Sequence, residues 1–475
     1  MKNPVRVRFA PSPTGFMHLG SVRIALFNYL FARQHKGTFA LRIEDTDQKR
    51  NLEESQLQIL KDMEWLDLKY DEGPLVNGPY APYLQSERSS IYQEKLEELI
   101  ESGRAYRCFC TPEHLEEKRQ RATALGLPPR YDRTCLHLSD DKIKAKIADG
   151  QPFIWRFKLN ELQTIVINDL ACKTVSFEMK NFSDFAITRA DGTFPFIFAN
   201  MVDDWTMNMT YIIRGGDHLS NTAMQAALYD AFAVPLPTFW HLPLVCNIKG
   251  EKLSKRDFGF SLTDLRNGGF LAPAICNYLA TIGFSLKEEL QDVKDLVHTM
   301  NFEHLHASST VKYDTEKLTW FNHKWMERLP LESIVEQALP FVEHVHPEVK
   351  SLSPDIFSGL IKSIRSDLKT LADAPKLLAF YFKRPTVNRD GLEKELGKEK
   401  TDLVVHVIKT AIIPPSSHDL YINHLKEQGV AQGLKAKEIL GSLRYILTGS
   451  FQGMGLHDLF ALLGNDEVDT RLKKI

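Results

Sequence analysis

Pro11-Ser-Pro-Thr-Gly15-Phe-Met-His18-Leu-Gly20 and the distant Lys252-Leu-Ser-Lys255-Arg256 hold the residue types that phosphate chemistry asks for. In the first, prolines and glycines let the backbone come close to a ligand. The second packs three cations into five residues, after Cys246-Asn-Ile-Lys-Gly250 and before Gly259, which predicts a flexible loop. Transfer at a phosphate of ATP needs little covalent help from a protein. It needs charge neutralised on the phosphoryl oxygens and the leaving group, which lysines on a closing loop supply. Taken singly, a loop rich in Pro and Gly is an ordinary turn and a short basic cluster a solvated one. Only the pair points to a nucleotide site.

The elements around the first segment agree with that reading. Val5-Arg-Val-Arg-Phe9 alternates as a strand with one apolar face does. From Val22 the apolar residues Ala25, Leu26, Tyr29 and Leu30 recur at helical spacing, and Gly37 is a natural stop. Strand, tight loop and helix in a parallel α/β sheet put the loop at the carboxyl end of the strand, where the helix start offers free N–H groups to phosphates. No Gly-x-Gly-x-x-Gly follows a strand, which argues against a dinucleotide dehydrogenase.

Farther along, Ile91, Leu96, Leu99 and Ile100 share a face of a helix that starts at Ser90 and stops near Gly103. An inserted module follows, with the charged run Glu113 to Arg121 and strand-like Phe153-Ile-Trp-Arg-Phe157 and Thr164-Ile-Val-Ile167, before the sheet resumes near Phe185. From Leu262 to about Met326 the pattern is helical. Beyond Pro330 come amphipathic helices, broken at Pro414-Pro415-Ser-Ser417.

A length of 475 residues with 43% hydrophobic content suits about three or four globular domains. The start shows neither a signal-peptide pattern nor an apolar span, so a cytoplasmic protein with no membrane partner is expected. Six cysteines are too sparse for a disulfide scaffold. With 59 basic and 61 acidic residues the net charge of −2 does not announce a nucleic-acid partner, yet leaves room for a local basic stripe. Cys108-Phe-Cys110 and Cys135-Leu-His137 bring four metal-type ligands in two pairs. The spacing alone leaves two readings open, a zinc site or buried cysteines beside an unrelated pair; Cys172, Cys246 and Cys276 read as core.

Arg8-Phe-Ala10-Pro-Ser12-Pro-Thr-Gly15 with His18-Leu-Gly20 resembles the HIGH signature of class I aminoacyl-tRNA synthetases in its glutamyl variant, and Lys252-Leu-Ser-Lys255-Arg256 resembles the KMSKS loop. Arg42-Ile-Glu44-Asp-Thr-Asp47, Gln85-Ser-Glu-Arg88, Ala199-Asn200-Met-Val-Asp203-Asp204, Ile213-Arg214-Gly, Leu443-Arg444 and Leu447-Thr-Gly-Ser450 follow in the order of the bacterial glutamyl-tRNA synthetases. The resemblance covers the whole chain. It implies an α/β Rossmann-type catalytic domain at 1–105 and 185–260 and an inserted α+β acceptor-binding domain at 106–184. It further implies a stem-contact helical domain at 261–329 and an all-α anticodon-binding region in two subdomains at 330–475. A monomer is expected. The long helical tail separates the chain from glutaminyl-tRNA synthetases, with their β-rich anticodon domain, and from the short paralogues that glutamylate a modified base.

The implied reaction activates L-glutamate with ATP and Mg²⁺ to glutamyl-adenylate and passes it to tRNA(Glu), activation waiting for tRNA. His18, Lys252 and Lys255 are the implied catalytic residues; Gly20, Asp217, His218, Lys252, Ser254 and Lys255 bind ATP. Arg8, Ala10, Ser12, Glu44, Phe196, Asn200 and Arg214 surround the amino acid. Arg214 would face its side-chain carboxylate, since only a guanidinium offers a planar charged fork, and Glu44 its ammonium. Members of the same family hold zinc with a cluster like Cys108, Cys110, Cys135 and His137, so one structural zinc ion is implied. Four departures stand out: Ser21 for a second histidine, Phe196 for a common tyrosine, Gly216 for an acidic residue, and Asp367 for an arginine that helps tell tRNA(Glu) from tRNA(Gln). The alternatives are a non-discriminating enzyme that also glutamylates tRNA(Gln) and a non-catalytic tRNA-binding paralogue, the latter opposed by intact signature residues. Arg365 and Arg444 are candidates for contact with anticodon bases.

Overall fold

The alternating run at the start becomes strand β1, Arg6–Phe9, and the helical spacing after it becomes helix α1, Leu19–Gln34. In the computed structural model residues 4–13, 15–46, 53–254, 257–286, 288–302, 310–411 and 418–475 are described. Lys255, Asp47 and the expected break at 414–417 lie outside them. Leu19, Val22, Leu26 and Leu30 bury one face of α1 fully, each contributing about 2 kcal/mol of apolar burial. After α1 the chain reverses at Gly37, where any Cβ would stand 2.3 Å from the carbonyl oxygen of Val5. That close approach admits only glycine and lets β2, Thr38–Leu41, pair in parallel with β1, Arg6 opposite Thr38.

One compact unit comprises Met1–Asp264 with Cys276–Thr315, and a second comprises Leu265–Ile275 with Glu316–Ile475. In the first unit β3, Ala105–Cys108, and β4, Ile154–Phe157, form an antiparallel pair. Next, β5, Thr164–Asp169, and β6, Lys173–Glu178, make a hairpin. Strands β7, Tyr211–Gly215, and β8, Thr238–Leu242, run parallel to each other, and β5 joins β8 in parallel at Asp169 opposite Phe239. The order is β6-β5-β8-β7, so the β5–β6 hairpin extends the parallel pair of β7 and β8. Along β5, Ile165, Ile167 and Asp169 are buried while Thr164, Val166 and Asn168 are exposed, the period of two that a half-buried strand requires. On the other side of β7, Thr210 donates its N–H to the Arg6 carbonyl at 3.0 Å, which sets β1 alongside.

The helical reading of Leu262 to Met326 needs one correction. Strand β9, Leu244–Cys246, takes β10, Thr310–Lys312, as a parallel partner. Three residues are too few for their periodicity to announce a strand. Cys172 also departs from expectation: it is exposed in the β5–β6 turn, whereas Cys246 and Cys276 are buried. The second unit is helical as read, from Leu331–Val345 to Leu456–Leu472. Ile334, Ala338 and Val342 on one helix and Ile439, Leu443 and Ile446 on another give it core stripes.

Candidate active site

The two segments singled out first meet in space. Leu19 N–H donates to the Phe260 carbonyl at 3.0 Å and Leu262 N–H to the Met17 carbonyl at 2.8 Å, so the chain just past the lysine loop is zipped onto the start of α1. The His18 and Phe260 rings stack with centroids 5.5 Å apart. At the carboxyl ends of β1 and β7, with these rings in its wall, lies a cavity of about 730 Å³ lined also by Arg8, Ala10, Ser12, Glu44, Phe196, Asn200, Arg214, Asp217 and His218. A smaller one of about 170 Å³ adjoins it, lined by His18, Gly20, Asp217 and Lys252. Gly15, with φ +148°, turns the loop in a conformation suited to glycine.

At the inner end, Arg8 grips Asp204 bidentately, Nε to Oδ1 at 2.9 Å and Nη2 to Oδ2 at 3.1 Å. Arg42 adds a bond to the same Oδ1 at 2.7 Å and another to Glu44 Oε1 at 3.0 Å. Asn200 donates to Glu44 Oε1 at 2.5 Å and is held in turn by Gln225 at 2.8 Å. Burial pushes the Glu44 carboxyl above its ordinary range despite Arg42 and Asn200, so an arriving cation would favour its ionised form. Asp204 is also pushed up by burial, but Arg8 and Arg42 win and hold it below the carboxylate range. Arg214 is 5% exposed, and its Nη1 has no hydrogen-bond partner among the described residues. Burial, then the nearby Arg8, lowers the Arg214 guanidinium to about 10. A buried N–H left unpaired in the cavity wall costs free energy until an acceptor arrives.

At the outer end, Ser21 N–H donates to His18 Nδ1 at 3.1 Å, which leaves the ring proton on Nε2, 3.0 Å from Ser21 Oγ. Ser21 thus sets the tautomer of the histidine it follows. Burial, then Lys252, lowers the His18 pKa, in keeping with a neutral ring whose Nε2–H can donate. Lys252 Nζ lies 3.2 Å from Asp217 Oδ2. Asp217 stays below its usual range because His218 and Lys252 outweigh its burial. Ser254 is exposed, its N–H and hydroxyl donating to Asp257 Oδ2 at 2.8 and 3.0 Å. Phe196 faces the His218 ring at 5.2 Å.

Burial, then Arg214, depresses His218 from 6.5 to about 4. Between those values the unfolded chain takes up a proton that the folded chain refuses, so stability falls as pH drops through the window. His218→Gln is expected to flatten that fall, read from urea midpoints at pH 7 and pH 5. An equal fall in both proteins would contradict it.

Residues 4–320 match the catalytic domain of the class I tRNA synthetases (E and Q), and 333–475 match an anticodon binding domain. The glutamate–tRNA ligase of Elusimicrobium minutum is 37% identical, covering 99% of this chain and 98% of its own. That of Moorella thermoacetica is 36% identical over the same shares, 99% and 98%. The chain belongs to the glutamate–tRNA ligase family. A crystal structure of a glutamate tRNA ligase from Elizabethkingia meningosepticum in complex with its amino acid superposes with a TM-score of 0.87 at 31% identity, covering 99% of both chains. The family assignment places the Rossmann-type sheet and the helical tail in one known architecture.

Around β3 the chain gathers three sulfurs, Cys108, Cys110 and Cys135, whose Sγ atoms lie within 4.8 Å of one another. His137 is exposed and stands outside the group. The fourth polar atom is the Tyr131 hydroxyl, 3.4 Å from Cys108 Sγ and 3.9 Å from Cys110 Sγ, and it accepts the Cys135 N–H at 3.1 Å. Arg156 lies over the Tyr131 ring at 4.2 Å. Burial and the neighbouring Cys108 push the Cys110 thiol up to about 12. Crowded thiols of this kind ionise together when a cation joins them. His137 is implied by the family resemblance, the spacing alone leaving a zinc site and buried cysteines both open; the four-residue step from Tyr131 to Cys135 is the available signal for the hydroxyl.

The two arginines that are candidates for base contact donate to backbone carbonyls of their own unit. Arg365 donates to the carbonyls of Met326 at 2.7 Å and Glu327 at 2.8 Å, and to that of Leu329. Arg444 donates to those of Met454 at 2.8 Å and Phe451 at 3.0 Å. Both clip loops to helices within the second unit. Sequence reasoning also left Asp204, Thr222, His241 and Asp169 without roles.

Proposed function

We propose that this chain attaches L-glutamate to tRNA(Glu) through glutamyl-adenylate. The observation that carries the reading is the unpaired buried Nη1 of Arg214 in a cavity that also holds Arg8, Glu44 and His18. Arg214 receives the side-chain carboxylate and Glu44 the ammonium. Glutamine would leave a buried guanidinium without its countercharge, a mismatch that discriminates strongly. The α-carboxylate oxygen attacks the α-phosphorus of ATP, the bond to the bridging oxygen breaks, and pyrophosphate leaves with its electron pair. His18 donates its Nε2 proton in a hydrogen bond to the phosphates, while Lys252 and Lys255 offset charge on the departing pyrophosphate. Mg²⁺ arrives with ATP and neutralises phosphate charge. The terminal adenosine hydroxyl of tRNA then attacks the activated carbonyl, forming the ester and releasing AMP. Positioning supplies much of the rate in both steps.

The inserted segment fits one structural zinc ion held by Cys108, Cys110 and Cys135, with the Tyr131 oxygen beside them. Purified protein is expected to carry about one zinc per chain, and Cys135→Ser to carry well under half of that. Zinc absent from the wild type, with no gain on reconstitution, would remove this site.

ATP–pyrophosphate exchange tests the reading. Exchange should need glutamate and rise when tRNA(Glu) is added. Exchange driven equally by glutamine would overturn the assignment of Arg214, and no exchange under any condition would favour a non-catalytic tRNA-binding protein.

A further inference from the structure

Arg214 does not hold its own place. Its Nε–H donates to His241 Nε2 at 3.3 Å and its Nη2 to Thr222 Oγ1 at 2.5 Å, and Thr222 Oγ1 itself lies 2.8 Å from that Nε2. These ties take the side edge of the guanidinium and leave Nη1, the nitrogen without a partner, for an incoming carboxylate. The other ring nitrogen of His241, Nδ1, lies 2.7 Å from Asp169 Oδ2, and both side chains are fully buried. Asp169 is itself pinned by three backbone donors: His241 N–H at 3.0 Å on Oδ2, Ala171 N–H at 2.9 Å and Cys172 N–H at 2.7 Å on Oδ1. An acceptor on one side and a donor on the other leave the imidazole a single consistent arrangement. Its proton sits on Nδ1 facing the carboxylate, and Nε2 accepts from Arg214.

We propose that Asp169 and His241 are positioning residues that orient Arg214 toward the substrate's side-chain carboxylate. Asp169 fixes the tautomer of His241, and His241 fixes the edge from which Arg214 can be approached. The groups facing this imidazole are Arg214 from β7, Thr222 from the helix Leu219–Ala231, Phe239 stacked at 6.0 Å from β8, and Asp169 from β5. Burial and then Arg214 oppose a second proton, Asp169 alone favouring it, and the balance lowers the His241 pKa, in keeping with a neutral ring. Asp169 belongs to the segment 106–184 expected as the acceptor-binding insertion, so that segment adds a residue to the amino-acid site through the last position of its strand β5. The proposal rests on Arg214 being the glutamate-side-chain partner.

The test measures KM for glutamate and for ATP in tRNA-dependent pyrophosphate exchange with the full chain, for wild type, His241→Leu, His241→Gln, Asp169→Asn and Arg214→Ala. His241→Leu is expected to raise the glutamate KM about 10-fold or more and to leave the ATP KM within about two-fold, as loss of a hydrogen bond to a charged group does. His241→Gln, whose amide oxygen reaches the place of Nε2, should recover most of the loss. Asp169→Asn presents an amide N–H to Nδ1, forces the proton onto Nε2 against the Arg214 N–H, and should raise the glutamate KM like the Leu variant. If His241→Leu does not fold, the Gln and Asn variants carry the same contrast. An unchanged glutamate KM in the His241 and Asp169 variants, with a large rise in Arg214→Ala, would overturn the dyad while sparing the site. An unchanged glutamate KM in Arg214→Ala would overturn both. Parallel loss for glutamate and ATP would mark His241 as mere scaffold and also overturn the proposal.

Discussion

Asp204→Ala is expected to destabilise the first unit by about 3–5 kcal/mol, the range for removing one partner from a buried ion pair. The reason lies in what remains. Asp204 accepts from Arg8 at 2.9 and 3.1 Å and from Arg42 at 2.7 Å, with side chains of Arg8 and Arg42 only 4% and 0% exposed. Arg42 keeps Glu44 at 3.0 Å and Asp203 at 3.6 Å, but Arg8 loses both of its carboxylate contacts and stays buried near Arg214. Asp204→Asn keeps the shape and should lose less stability, yet still raise the glutamate KM as Arg8 drifts. Denaturant unfolding followed by tryptophan fluorescence measures the first effect; a loss below about 1 kcal/mol for the alanine variant would show that the network is not under the constraint described.

Arg214→Ala is expected to lower kcat/KM for glutamate by about 30-fold to several thousand-fold, corresponding to about 2–5 kcal/mol for truncating a buried hydrogen-bonded charge partner. The ATP KM should move by no more than about two-fold, since Arg214 lines only the larger cavity, whereas Lys252 lines the smaller. Arg214→Lys should not rescue. An ammonium cannot hold His241 and Thr222 on one edge and present a second edge to a carboxylate. Steady-state exchange kinetics decide this, and equal loss toward both substrates would point to a general distortion.

Local pattern made part of this legible from residues alone. The switch from alternation at Val5–Phe9 to helical spacing after Val22 located β1, the loop and α1, because both periods are properties of the backbone. The site residues that the resemblance implies, Arg8, Glu44, His18 and Arg214, line one cavity. What stayed hidden depends on partners far apart in sequence. Asp204 sits 196 residues from Arg8, and nothing local tells a clamp for that arginine from a surface acid. Asp169 could have been flagged, since alternation after Ile165 and Ile167 sends it to the buried face, where a lone carboxylate needs a partner. Arg365 and Arg444 show how residue type alone leaves a role open. Their residue type suits RNA contact, and helix and loop carbonyls within the second unit also take their N–H groups.

The most direct measurement is charging of purified tRNA(Glu) and tRNA(Gln) with labelled glutamate and labelled glutamine. Ester-linked glutamate on tRNA(Glu), with no glutamine on either tRNA, is the result predicted by a cavity that pairs Arg214 with a carboxylate. Failure of glutamate to reach either tRNA would contradict it.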